Sequence, residues 1–267
     1  MTSTTPSAGS SALAACREEG RAALIGYLPV GFPTLAGSLE AIAAIVEGGV
    51  DIVEVGVPYS DPLMDGPVIQ RATETALAAG MTVDDVFTAV AASVAAGAPA
   101  YVMSYWNLIL RRGVDRFAAD LAAAGGSGVI TPDLIPDEAS EWLEAARRHD
   151  LDPVFLVAPS STTERLSVAT AACRGFVYAA STMGVTGTRD TVGSAAADLV
   201  ARTRVVTDLP VCVGLGVSTR EQAAAVARFA DGVIVGSALV RALADGGVPA
   251  LREATAELAA GVREGRG

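Results

Sequence analysis

Apolar residues along this chain fall into short β-branched runs bounded by turn residues, and longer Ala-rich stretches with helical periodicity separate them. The short runs occupy residues 23–29, 50–57, 100–105, 128–134, 153–159, 175–181, 210–216 and 231–237, the pattern of buried strands. Helices are predicted over 35–47, 83–96, 114–124, 138–149, 163–173 and 219–229, several opened by Ser, Thr or Asp caps. Eight strand–helix units in a chain of this size predict a single-domain α/β protein, a closed (β/α)8 TIM barrel. A doubly wound parallel sheet is the alternative with the same local pattern. No repeated motif and no Pro/Gly-rich linker divides the chain, so 19–267 reads as one barrel. Residues 1–18, rich in Ser, Thr and Ala, read as a poorly ordered leader with no basic start or apolar stretch of a signal peptide.

Two connections exceed the simple pattern: residues 58–99 after the second strand and 182–209 after the sixth. In a barrel, long loops that follow strands gather on the C-terminal face, where chemistry is done. The second strand also carries a polar signal. In 50–57, Val53, Val55 and Val57 form one face and Ile52, Glu54 and Gly56 the other. If the valines meet the helices, Glu54 points into the barrel. A carboxyl there either finds a partner in the core or has its pKa lifted toward the neutral range suited to an acid or base. The segment 58–67 follows, stiffened by three prolines, with Asp65 just ahead of Gly66. Asp65 taken alone is equally well a turn or capping residue.

Glycines mark a second feature. Gly214 and Gly216 end the seventh strand, and Gly236 and Ser237 lead the eighth into a helix. Adjacent glycine-rich strand ends and a helix start are suited to a phosphate dianion. Residues 184–187 add a third glycine-hinged segment, read as a lid.

Composition narrows the chemistry. The chain has 267 residues, 30 acids against 19 bases and a formal net charge of −11. Such a balance lacks the positive field a nucleic acid needs. No run reaches the roughly 18 apolar residues of a membrane span. The three cysteines, Cys16, Cys173 and Cys212, are too few and scattered for a disulfide framework or metal knuckle, which fits the cytoplasm. Every base is Arg and the single histidine is His149. Without lysine the chain can form no Schiff base with a substrate or with pyridoxal phosphate. One histidine, placed at a helix end, leaves no ligand set for a metal-dependent aldolase, so no metal is expected. Carboxylates remain as the acid/base set.

The run 26–33 (Gly-Tyr-Leu-Pro-Val-Gly-Phe-Pro), the block 54–67 (Glu-Val-Gly-Val-Pro-Tyr-Ser-Asp-Pro-Leu-Met-Asp-Gly-Pro) and Gly184-Val185-Thr186-Gly187 together resemble the α subunit family of tryptophan synthase, over about residues 20–263. The resemblance implies a (β/α)8 barrel that cleaves indole-3-glycerol phosphate to indole and glyceraldehyde 3-phosphate. It implies no cofactor in this chain. Its partner would be a β subunit carrying pyridoxal phosphate, in an α2β2 heterotetramer. By the same resemblance Glu54 and Asp65 are catalytic. Tyr27, Tyr105 and Tyr178 line the indole pocket, and Gly187, Gly216, Gly236 and Ser237 hold the phosphate. Thr186 is the lid residue that bonds the loop aspartate, and Pro58, Asp61 and Asn107 face the β subunit.

Departures from the family pattern are Thr182-Met183 where many members carry Arg after the serine, Leu215 for a frequent Phe, and Pro29 for a frequent Thr. Three other readings stay open: a free-standing indole-glycerol-phosphate lyase, a regulatory barrel that only binds glycerol phosphates, and a phosphosugar epimerase.

Overall fold

The computed structural model describes residues 6–181, 189–214 and 216–265. In chain order the elements are α1 (Ala8–Glu18), β1 (Ala23–Pro29), α2 (Leu35–Glu47), β2 (Ile52–Gly56), α3 (Pro67–Ala78), α4 (Val83–Ala96), β3 (Ala100–Met103), α5 (Trp106–Arg112) and α6 (Val114–Ala123). They continue with β4 (Gly128–Thr131), α7 (Ser140–Arg148), β5 (Asp152–Val157), α8 (Thr163–Ala172), β6 (Val177–Ala180), α9 (Arg189–Arg204), β7 (Val211–Gly214), α10 (Arg220–Ala227), β8 (Gly232–Val235) and α11 (Ser237–Glu264). The strands pair in parallel in sequence order, and β8 returns to β1 to close the barrel. The doubly wound alternative is thereby excluded.

Side-chain alternation builds two cores. Ile25, Ile52, Tyr101, Ile130, Val154, Phe176, Cys212 and Ile234 fill the barrel interior. Leu24, Val53, Val55, Val102, Val129, Phe155, Val177, Val213 and Val233 face the helices. The valines of β2 therefore lie outside and Ile52 inside, as the alternation predicts. No strand exposes a face to water, which is why the runs read as continuous apolar segments.

The expectation for the N-terminus is corrected. Residues 8–18 form α1, capped by the Ser7 hydroxyl, which accepts from the Ser10 amide. Leu13 and Cys16 insert into the barrel-interior core. At its start, Ser7 Oγ donates to Asp152 Oδ2, which also accepts from Tyr101 Oη at 2.7 Å, while Arg174 Nε donates to Asp152 Oδ1. Asp152 opens β5 and is fully buried, so α1 closes the N-terminal mouth of the barrel over a fully satisfied carboxylate. The long connection after β2 proves to hold an extra helix, α3, ahead of α4. Residues 182–188 of the second long connection lie outside the described residues.

Candidate active site

Glu54 sits at the inner end of the opposite, C-terminal mouth. It pairs in register with Tyr27 of β1 and Tyr101 of β3, so its side chain shares their inward direction. It is 1% exposed, and its Oε2 has no hydrogen-bond partner among the described residues. Among the described residues no arginine lines the space in front of it, so no arginine partner in the core neutralises it there. Burial, reinforced by the charge of Asp65, pushes the Glu54 carboxyl up from 4.5 to about 8. At neutral pH it holds its proton.

Asp65 reaches the same cavity from the loop after β2. Its carbonyl accepts from Gln70 Nε2 at 2.8 Å, one turn into α3. Half-buried rather than freely exposed, its carboxyl is raised from 3.8 by desolvation. The two acids thus share a cavity but differ in burial, the arrangement that separates an acid from a carboxylate.

That cavity holds about 570 Å³ and is lined at its inner end by Tyr27, Glu54 and Tyr178, and toward its rim by Gly214, Gly216, Gly236 and Ser237. Two glycines shape it by close approach. A Cβ on Gly56 would overlap the Tyr27 hydroxyl, and one on Gly214 the Tyr178 hydroxyl. Tyr27 is buried and Tyr178 half-buried, and desolvation pushes both phenols well above their ordinary range, so they remain neutral. At the rim, Gly236 precedes α11 without a side-chain cap, leaving first-turn amides for an anion. A second cavity of about 650 Å³ lies at the N-terminal mouth, but it holds neither acid. Its Arg21 is engaged by Asp51 and Glu19, and its Arg204 by Asp231.

Most of the residues expected from the sequence converge here: Glu54, Asp65, Tyr27, Tyr178, Gly216, Gly236 and Ser237 all line the cavity. Tyr105 does not. Its ring is buried just past β3, and its hydroxyl turns to the loop, accepting from the amides of Leu63 and Met64 at 3.0 Å each. Thr186 and Gly187 lie outside the described residues. Pro58 is buried, whereas Asp61 and Asn107 are exposed. Asn107 Nδ2 donates to the Tyr59 hydroxyl at 3.2 Å. His149 follows α7 on the outside and contacts Asp115 Oδ1 at 3.0 Å. The described residues contain no group of three or more His, Cys, Asp or Glu that could hold a metal.

Sequence reasoning missed Met103, Leu156 and Ala180, which line the apolar part of the cavity. The signal was available. Each lies at an inward position of its strand, two residues beyond Tyr101, Val154 and Tyr178 respectively, and the alternation applied to β2 finds them when applied to β3, β5 and β6.

A profile described as tryptophan synthase alpha chain matches residues 13–264. The chain belongs to the tryptophan synthase alpha chain family. The alpha chain of Mycobacterium avium (strain 104) is 66% identical over 250 residues, 94% of this chain and 92% of that one. That of Mycobacterium tuberculosis (strain ATCC 25177 / H37Ra) is 64% identical over 250 residues, with the same shares. Among solved structures, tryptophan synthase of Mycobacterium tuberculosis in space group F222 superposes with a TM-score of 0.92 at 61% identity, covering 97% of this chain and 99% of that one. The alpha subunit of Legionella pneumophila str. Paris has a TM-score of 0.89 at 29% identity, covering 97% and 99%.

As a member of the tryptophan synthase alpha family, the chain is a carbon–carbon lyase that splits indole-3-glycerol phosphate to indole and glyceraldehyde 3-phosphate. It works with the β subunit, which carries the pyridoxal phosphate and uses the indole to make tryptophan. Among the described residues no single helix is long and apolar enough to cross a membrane.

Proposed function

We propose that Glu54 is the general acid/base of the retro-aldol cleavage and that Asp65 binds the indole N–H. Protonated Glu54 delivers its proton to C3 of the indole ring, which becomes a cation with its charge shared by the ring nitrogen. The Asp65 carboxylate accepts the N–H hydrogen bond and stabilises that cation. Glu54, now ionised, takes the proton of the hydroxyl on the carbon attached to the ring. The new C=O forms as the electron pair of the ring–carbon bond passes into the ring, which releases indole and the aldehyde. The proton returns to Glu54, so atoms and charges balance without a lysine or an external electron sink.

Tyr27 and Tyr178 would enclose the ring, with Gly216, Gly236 and Ser237 at the phosphate and Thr186 and Gly187 completing the lid. Pro58, Asp61 and Asn107 would face the β subunit. A cytoplasmic location fits three free cysteines. The observation that carries the reading is a buried carboxyl, protonated up to about pH 8, opening on the same cavity as a second acid.

The test is indole release from indole-3-glycerol phosphate by Glu54→Gln and Asp65→Asn chains in complex with the β subunit. Glu54→Gln should lose about 10²–10⁴-fold in kcat while folding normally. A variant that keeps most of its kcat would remove Glu54 from the mechanism.

A further inference from the structure

Tyr105 stands at the junction of β3 and α5, and the barrel holds its backbone on both sides. The Ser104 amide donates to Ile130 O at 3.2 Å, and the Trp106 amide donates to Asp133 Oδ1 at 2.9 Å. From that frame its hydroxyl crosses to the loop after β2 and accepts from the amides of Leu63 and Met64, both at 3.0 Å. Among the described residues these two amides have no other acceptor. Tyr59, from the same loop, lays its ring against Tyr105 with centroids 5.2 Å apart. On the far side, Gln70 holds the Asp65 carbonyl. Asp65 is therefore fixed from two directions: through the backbone just ahead of it by Tyr105, and through its own carbonyl by α3.

We propose that Tyr105 is a positioning residue for Asp65: its hydroxyl sets the turn at Leu63 and Met64 that presents the Asp65 carboxylate to the cavity, and it acts on the reaction only through that carboxylate. The inference rests on the role assigned to Asp65 above. A phenol oxygen is a fitting anchor here, since it accepts two amides at once while its ring stays packed in the barrel frame. A loop carboxylate left to find its own position would spend part of its time out of reach of the ring nitrogen, and small misplacements cost rate steeply.

The experiment compares Tyr105→Phe, Asp65→Asn and the double variant, each in complex with the β subunit, by indole release from indole-3-glycerol phosphate. Phe keeps the ring and removes only the acceptor. The expected result is a kcat lower by about tenfold in Tyr105→Phe, with KM within about twofold. The double variant should be no slower than Asp65→Asn alone, because the brace has nothing left to position. Hydrogen exchange supplies a second measurement: the Leu63 and Met64 amides should exchange about tenfold faster in Tyr105→Phe. An unchanged kcat in Tyr105→Phe, or a double variant slower than Asp65→Asn by the full single-variant factor, overturns the inference alone. An Asp65→Asn chain that keeps its rate overturns the Asp65 assignment, and this inference with it.

Discussion

The Tyr27 ring lies directly over the backbone of Gly56, two residues beyond Glu54 on the neighbouring strand. A Cβ at position 56 would overlap both the Tyr27 hydroxyl and its ring carbon Cε2. The strand that carries the buried acid thus ends in the one residue type that leaves the phenol room beside it, and the wall of the cavity depends on a missing side chain.

Gly56→Ala should therefore push Tyr27 toward the cavity that Glu54 faces. Tyr27 cannot retreat easily, because Gly236 is packed against the same ring, 3.2 Å from where its own Cβ would stand to Tyr27 Cδ1. Forced overpacking of this kind costs about 1–3 kcal/mol, to be read from denaturant unfolding. The activity loss should be larger in proportion, about 10- to 100-fold in kcat/KM, since ring placement and not only stability is disturbed. A variant of normal activity would mean that Tyr27 has another place to go.

The raised pKa of Glu54 gives a stability profile with a defined sign. Below about pH 4.5 both the folded and the unfolded chain hold this proton, so Glu54 does not weigh on folding. Between 4.5 and about 8 the unfolded chain releases the proton while the folded one keeps it, so stability falls as pH rises, and the loss is complete above about 8. Glu54→Gln removes the titration. Its unfolding free energy should exceed that of the parent at pH 8 and lie close to it at pH 4.5, while kcat is lost at both. On the acid role proposed for Glu54, kcat/KM of the parent should decline as pH passes about 8, when the free enzyme loses that proton. Equal pH profiles for the two chains, from urea titrations at several pH values, would remove Glu54 as the group responsible.

The other mouth of the barrel makes a contrasting prediction. Asp152 is fully buried and accepts from Ser7, Tyr101 and Arg174, tying α1 to β3 and β5. Asp152→Asn replaces an acceptor of three donors by an amide that must turn two donors of its own toward them. The expected loss is about 2 kcal/mol, or about 4–8 °C in Tm for a chain of this size. Indole release at 25 °C should be unchanged, because the acids lie at the opposite mouth. Calorimetry and a steady-state assay on the same preparation separate the two effects.

These sites differ in how far they could be read beforehand. β1, α2 and α4 have the bounds that periodicity predicts, 23–29, 35–47 and 83–96, because apolar period and caps agree there. Strands β2, β3, β4, β6, β7 and β8 are shorter than their apolar runs, which continue past the ladder into loop residues such as Leu134. Glu54 was legible because an acid stands between Ile52 and Gly56 on the face opposite the valines. Helix α1 was not: only Gly9, Leu13 and Cys16 are buried along it, too few to mark a face, and what holds it is Asp152, 145 residues from Ser7. Tyr105 was read as a pocket wall from resemblance, since alternation gives no direction to a side chain past the last strand residue.

The surface around the loop that carries Asp65 bears the last prediction. Asp61 is exposed, and its carboxylate accepts from the neighbouring Ser60 hydroxyl at 2.6 Å. Among the described residues it has no ion-pair partner. Beside it Leu63 is 79% exposed and Met64 53%, so an unpaired acid borders apolar side chains that gain by being covered. If this rim meets the β subunit, Asp61→Ala should weaken association through lost charge complementarity, which acts chiefly on the rate of encounter and is screened by salt. Indole release should rise when the β subunit is added to the parent chain. The variant should need about 5- to 10-fold more β subunit for half-maximal rate at low ionic strength, and nearly the parent amount in 1 M salt. Its rate at saturating β subunit should match the parent within about twofold, because Asp65 and the Tyr105 brace are untouched. A lower saturated rate would instead place Asp61 in the support of the loop, and an unaltered titration would remove it from the interface.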